Sequence, residues 1–219
     1  MYMHFLEMSA MCLKDKKVLI RSDLNVPIKN EQIVNEERLL AAIPTFKQAF
    51  EQGAESVTVI SHLGRPKAGQ HQPEFSLLPV AKALENYMEH PVFFTNEWTK
   101  SSFIPKKGYL NILENIRFQK GEIENSKILS HQMACLCDIF VMDAFGTAHR
   151  AHASTYGVGF AAPTVCAGPL LIYEIKMLDR ILKNAEKLTV TIVVALNYRQ
   201  IIGIKIIIEY CLRLIPGGG

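Results

Sequence analysis

The sequence predicts an α/β fold: a mainly parallel sheet with helices covering both faces. Two observations carry this expectation. Short strand-like runs recur at 17–21, 56–60, 91–94, 109–113, 139–141 and 189–194. Amphipathic runs with helical periodicity alternate with them. At about 150 residues per domain, a length of 219 also leaves room for a further part-domain.

The first strand, Lys17-Val18-Leu19-Ile20-Arg21, ends at the loop 23–27. A helix is expected over 36–52, where Leu39, Leu40, Ile43, Phe46, Ala49 and Phe50 fall at roughly helical spacing. Gly53 stops it. Pro44 lacks a backbone donor and is expected to kink or split that helix. The second strand, 56–60, is rich in β-branched residues and runs into the polar loop 61–73. Ser76 is placed to cap a helix with Leu77, Val80, Ala81, Leu84 and Tyr87 on one face. Strands at 91–94 and 109–113 follow, then a helix at 125–137 and the strand 139–141. A long helix at 168–183 and a strand at 189–194 complete the pattern, with no internal repeat or low-complexity tract. The whole reads as a three-layer, Rossmann-like domain followed by a connecting helix and an incomplete second domain.

Apolar residues make up 49% of the chain and charged residues 21%. That is the balance of a soluble globular protein with a core, not of a disordered chain. Lys and Arg number 24 against 21 Asp and Glu, a formal charge of +3, too small for a generic nucleic-acid binder. The first ten residues have no basic segment and no apolar run, so no signal peptide is expected. The most apolar stretch, 188–215, is broken by Arg199, Lys205, Glu209 and Arg213, so no membrane span is expected either. Cys12, Cys135, Cys137, Cys166 and Cys211 lack C-x-x-C pairing and read as reduced thiols of a cytoplasmic protein. Neither G-x-G-x-x-G nor G-x-x-x-x-G-K-[ST] occurs.

In such sheets ligands bind outside the carboxyl ends of the strands. After the first strand stand Asp23 and Asn25, with Arg38 opening the next helix. Ser61-His62-Leu63-Gly64-Arg65-Pro66 follow the second, and Glu114-Asn115-Ile116-Arg117 the fourth. Asp143 to Arg150, including His149, follow the fifth. Four arginines and two histidines therefore converge on one rim of a nearly neutral protein. Guanidinium forks match carboxylate and phosphate oxygens, and several at one rim repel one another unless an anion sits among them. The expectation is a site for a small, multiply charged anion bearing phosphate and carboxylate. Asp23 and Asn25 would orient a hydroxyl group or the arginines; taken alone, Asp23-x-Asn25 reads equally as an Asx-turn, and each arginine as a solvated charge. Cys135 with Cys137, and His149 with His152, admit metal-ligand readings. Packing and loop roles are preferred for them, and no metal site is assigned.

At these residues the sequence resembles the phosphoglycerate kinase family. Arg21-Ser22-Asp23-Leu24-Asn25-Val26-Pro27 is similar to the family's R-x-D-[FLY]-N-V-P, and residues 61–66 to its S-H-L-G-R-P. Leu113-Glu114-Asn115-Ile116-Arg117-Phe118 is similar to L-E-N-x-R-F, and 143–152 to D-A-F-G-T-A-H-R-A-H. The blocks come in family order and spacing, over residues 13 to about 193. The resemblance implies a substrate domain at 1–167, an interdomain helix at 168–184 and part of a nucleotide domain at 185–219. It implies that 3-phosphoglycerate is bound by Asp23, Leu24, Asn25, Arg38, His62, Leu63, Gly64, Arg65, Arg117 and Arg150, with Arg38 also catalytic on the transferring group. The family reaction, in glycolysis, moves a phosphoryl group between 1,3-bisphosphoglycerate and ADP with magnesium on the nucleotide. Its catalysis is mostly positioning and charge stabilisation. A cytoplasmic monomer without nucleic-acid or membrane partners is implied. Met142 replaces the usual Asn before D-A-F-G, which implies one local hydrogen bond fewer.

Beyond the connecting helix the resemblance breaks. The family continues with G-G-[SA]-K-[VL]-S-T, whose lysine contacts nucleotide phosphates; here Val194 and Ala195 replace glycines and Asn197 the lysine. Residues 193–200 can be encoded so that the frame beginning at the last base of the Val193 codon reads Gly-Gly-Ser-Lys-Leu-Ser-Thr. Residues 214–219 again resemble the family's L-I-x-G-G-G. The expectation is a frameshifted, truncated product without a complete Mg-ATP/ADP site, inactive as an isolated chain. The alternative is a non-catalytic module that binds 3-phosphoglycerate or a similar anion.

Overall fold

A computed structural model describes residues 6–100 and 102–183, with side chains through residue 180. The residues up to Ile172 belong to one compact unit, and a second begins at Tyr173. The chain runs through β1 (Lys17–Ser22), a hairpin of β2 (Ile28–Lys29) and β3 (Gln32–Ile33), α1 (Glu37–Glu51) and β4 (Ser56–Ile60). It continues through α2 (Leu78–Leu84), β5 (Val92–Thr95), β6 (Leu110–Leu113), α3 (Lys127–Ala134) and β7 (Ile139–Asp143). Then come α4 (Phe145–Ala148), α5 (Val158–Ala161), β8 (Val165–Ala167) and α6 (Pro169–Lys183).

Six strands form one sheet in the order β5-β6-β4-β1-β7-β8, and every neighbouring pair is parallel. The period-2 alternation of a strand divides its side chains between two cores. Val18 and Ile20 of β1, with Ile139 and Val141 of β7, pack with Leu39, Ile43 and Phe46 of α1 and Val80 and Leu84 of α2. Leu19 and Phe140 point the other way, to Trp98 and to Leu129 and Met133 of α3. Helices on both faces are what lets these strands be apolar on both sides. Each fully buried side chain of this size contributes about 1.5–3 kcal/mol. The order reverses at β1: β4 lies on one side of it and β7 on the other. That switch point is where a parallel sheet leaves a crevice.

Some expectations need correction. Pro44 does not split α1, which runs unbroken across it. The proline lies on the exposed side, so water can solvate the carbonyl that loses its i+4 donor. Ser76 stands just outside α2: its hydroxyl accepts the Leu78 N–H at 3.2 Å and donates to Glu114 at 2.8 Å. Tyr87 lies beyond the end of α2 and donates to Glu36 instead. The helix expected over 125–137 is shorter, starting after Ser126, whose side chain accepts from Leu129 N. The β2–β3 hairpin turns on Asn30 and Glu31, both with positive φ. This is a primed two-residue turn without the glycine that usually advertises one. β8, only three residues long, adds an edge strand beyond β7. The strand expected at 189–194 lies outside the described residues. Among the described residues no helix is long and apolar enough to cross a membrane.

Candidate functional site

Arg21, near the end of β1, forms the floor of the crevice. Its side chain is buried, and every arm has a partner. Nε donates to Ser154 Oγ at 3.1 Å, Nη1 to the Ser22 carbonyl, and Nη2 meets His62 Nδ1 at 3.2 Å. A guanidinium only donates, so His62 Nδ1 accepts and its Nε2 carries the proton. His62 follows β4 and is only 4% exposed. Burial, reinforced by Arg21, Arg117, Arg150 and Arg38, pushes its pKa down to about 2, so it stays a neutral donor. Burial also lowers Arg21 to about 10, opposed by the charges of Glu122 and Asp23.

Asn115, fully buried after β6, organises the neighbouring loops. Its Oδ1 accepts the N–H groups of Leu63 (3.2 Å) and Arg117 (3.1 Å). Its Nδ2 donates to the carbonyls of Leu63 (2.7 Å) and Phe75 (2.8 Å). The turn Ile116–Phe118 thereby presents Arg117, whose Nη1 donates to the Gly64 carbonyl. Asn25 Oδ1 receives the Gly64 N–H at 2.9 Å, tying the loop after β1 to the loop after β4. Gly64 has φ +58, and a Cβ there would collide with the Phe75 ring, so both its conformation and its space require glycine. Leu24 and Leu63 are buried; Leu24 donates its N–H to Ser61 Oγ at 2.9 Å.

Above the floor lie more exposed charges: Arg38 and Arg65 are exposed and Arg150 is half-buried. Asp23 Oδ2 receives Arg38 Nη1 at 2.6 Å, and Asp23 Oδ1 accepts the Asn25 N–H at 3.2 Å. Asp23 thus both orients an arginine and closes the Asx-turn with Asn25. Thr155, in the wide π-turn Ala153–Gly157, donates to the Arg150 carbonyl at 2.6 Å and accepts the His152 N–H at 3.2 Å. Arg117 is lowered by burial first, then by the charges of Arg150 and Arg65. The charges of Arg21, Arg38, Arg117 and Arg150 all bear on His62, and that of Arg65 bears on Arg117. A cavity of about 380 Å³ opens beside Asn25, Leu63 and Gly64. A larger hollow of about 600 Å³, lined by Lys127, His131, Tyr156 and Phe160 among others, contains no arginine.

Sequence reasoning missed three parts of this arrangement. Arg21 was visible only as a motif residue, because nothing in its own neighbourhood says that a strand-end arginine is buried. Glu122 and Ser154 sit 32 positions apart, yet the Ser154 hydroxyl donates to Glu122 Oε1 at 2.6 Å and its N–H to Oε2 at 3.0 Å. Asp143, expected at the rim, instead accepts the Leu171 N–H at 2.9 Å and the Thr45 hydroxyl at 2.5 Å. It crowds Gly168 so closely that a Cβ there would overlap its carboxylate. Cys135 is exposed and Cys137 buried, with its thiol pushed up to about 12 by burial. Among the described residues no group of three His, Cys, Asp or Glu side chains is placed to hold a metal ion. Residues 193–200, where the nucleotide loop is expected, lie outside the described residues.

Fold and site together define an α/β domain with a cluster of arginines around a buried histidine at the switch point of a parallel sheet. The family model for phosphoglycerate kinase matches residues 8–219, and the chain belongs to that family. It is 47% identical over 218 residues to the phosphoglycerate kinase of Legionella pneumophila (strain Paris), covering 99% of this chain and 54% of that one. It is 50% identical over 186 residues to that of Coxiella burnetii (strain RSA 493 / Nine Mile phase I), covering 85% and 47%. The chain thus spans about half the length of the curated relatives it matches. Among solved structures it is similar to phosphoglycerate kinase from Coxiella burnetii, with TM-score 0.77 at 50% identity over 83% of this chain and 46% of that one. It is also similar to phosphoglycerate kinase from Pyrococcus horikoshii OT3, with TM-score 0.68 at 26% identity over the same shares.

Proposed function

We propose that the crevice binds 3-phosphoglycerate and that this chain supplies the substrate-holding part of a phosphoglycerate kinase. The observation that carries the reading is the convergence of Arg21, Arg38, Arg117 and Arg150 on the neutral, buried His62, with Arg65 beside Arg117. Such a cluster is electrostatically unfavourable by itself and becomes favourable around a ligand bearing phosphate and carboxylate. Arg65, Arg117 and Arg150 hold those groups, His62 donates from Nε2, and Arg38, steadied by Asp23, faces the group in transfer. Glycolytic phosphoryl transfer in the cytoplasm, by a monomer, is the corresponding role. The domain division at 1–167, 168–184 and 185–219 belongs to the same proposal.

The 219-residue chain is proposed to bind without turning over. Asn197 stands uncharged where the family has its lysine, and Val194 and Ala195 stand where it has glycines, the residues that permit close backbone approach to phosphate. A reading-frame shift across 193–200 accounts for these residues, and the coding sequence tests it directly. For function, 3-phosphoglycerate at millimolar concentration is expected to raise the melting temperature, since it binds the folded state. Mg-ATP with 3-phosphoglycerate is expected to give no ADP in an assay linked to NADH oxidation. A melting curve indifferent to the ligand would overturn the site. Robust turnover abolished by Arg38→Ala would overturn the inactivity.

A further inference from the structure

Glu122 poses a question that binding alone does not answer. It is 2% exposed, and burial pushes its carboxyl upward, against Ser154 hydrogen bonds and the charges of Arg21 and Arg117. Among the described residues no arginine pairs with it directly; its two oxygens accept the hydroxyl and N–H of Ser154. His152 Nδ1 stands 3.8 Å from Oε1, beyond hydrogen-bond distance. A buried carboxylate is expensive where a neutral acceptor would pack as well.

What a carboxylate provides here is direction. Ionised, it accepts and cannot donate. The Ser154 hydroxyl hydrogen is therefore committed to Glu122, which leaves the Ser154 oxygen lone pairs free for Arg21 Nε at 3.1 Å. With Nε fixed, the planar guanidinium has one orientation, in which Nη2 reaches His62 Nδ1. Arg21 donates both ways, to His62 Nδ1 through Nη2 and to Ser154 Oγ through Nε, and Ser154 in turn donates to Glu122. All four residues are at most 4% exposed, so water does not compete for their partners.

We propose that Glu122 and Ser154 are positioning residues: they lock the Arg21 guanidinium, which holds His62 in the Nε2–H tautomer and aims that proton at the bound anion. The part that concerns the anion rests on the binding reading above. An amide at 122 would be able to donate to Ser154, turn its hydroxyl and compete with Arg21, although its shape would hardly change.

The test is nitrogen-15 NMR of the His62 ring in the ligand-free protein, together with 3-phosphoglycerate titration. The unaltered chain is expected to show unprotonated Nδ1 and protonated Nε2. Glu122→Gln and Ser154→Ala are each expected to bring proton occupancy onto Nδ1 and to weaken 3-phosphoglycerate binding about tenfold. Arg65→Ala is expected to weaken binding with the His62 pattern unchanged. A His62 pattern unaltered in both Glu122→Gln and Ser154→Ala overturns the proposal. Where Glu122→Gln fails to fold, Ser154→Ala, which removes one oxygen and keeps the N–H bond to Glu122, decides alone. The NMR readout needs no ligand, so a failure of 3-phosphoglycerate to bind overturns the binding reading and leaves the positioning to the tautomer.

Discussion

The floor and the rim of the crevice carry the same kind of charge under opposite conditions. On the floor, Arg21, His62, Asn115, Glu122 and Ser154 are buried and bonded to protein groups. On the rim, Arg38 has a side chain 55% exposed and pairs with the Asp23 carboxylate, and Arg65 is exposed. The difference teaches a division of labour. Floor residues are preorganised by the fold, so changes there are felt as lost stability before lost binding. Rim residues have little to do in the unliganded fold, so changes there are felt as lost binding alone.

Asn115→Ala is the harshest way to break this comparison. It strands the N–H groups of Leu63 and Arg117 and the carbonyls of Leu63 and Phe75. Unfolding by denaturant is expected to show a loss of about 3–5 kcal/mol. Unchanged stability would mean that the floor is not held by these bonds. Arg65→Ala is the complementary change. It is expected to leave the folding free energy within about 0.5 kcal/mol while weakening 3-phosphoglycerate by about 1.5–3 kcal/mol, read by calorimetry. A large drop in melting temperature without ligand would place Arg65 with the floor.

Acid sharpens the comparison further. His62 is depressed from 6.5 to about 2 in the folded state, so below pH 6.5 the unfolded chain takes up a proton that the folded chain refuses. Stability therefore rises with pH across that window and is lost as the pH falls. Between about pH 7.5 and about pH 5 this one residue removes about 2 kcal/mol. His152, lowered chiefly by burial, acts in the same direction. Glu122 opposes them, because its raised carboxyl lets the folded state hold a proton that the unfolded state has released. His62→Gln is expected to flatten the pH dependence of unfolding, whereas Arg65→Ala leaves its slope intact.

Much of this was legible before any coordinates. The strands of the sheet that announce themselves by β-branched, apolar runs, from 17–21 to 139–141, were found within two residues of their ends, because period and composition are local properties. The motif residues Asp23, Asn25, His62, Arg65, Arg117 and Arg150 fall at strand ends because the parallel sheet puts every such loop on one edge. β8 was not legible: three residues carry too little pattern, and its partner β7 supplies the hydrogen bonds. Nor was the fate of Pro44, which depends on the side of α1 that faces water. Which charges are buried was decided only by the tertiary structure. Arg21, His62, Glu122 and Ser154 are scattered over 133 positions between the first and the last, and each is tolerable in the interior only because the others meet it there. The sequence determined which donors and acceptors exist; folding determined which of them face one another without water between them, and that sets their charge, tautomer and direction.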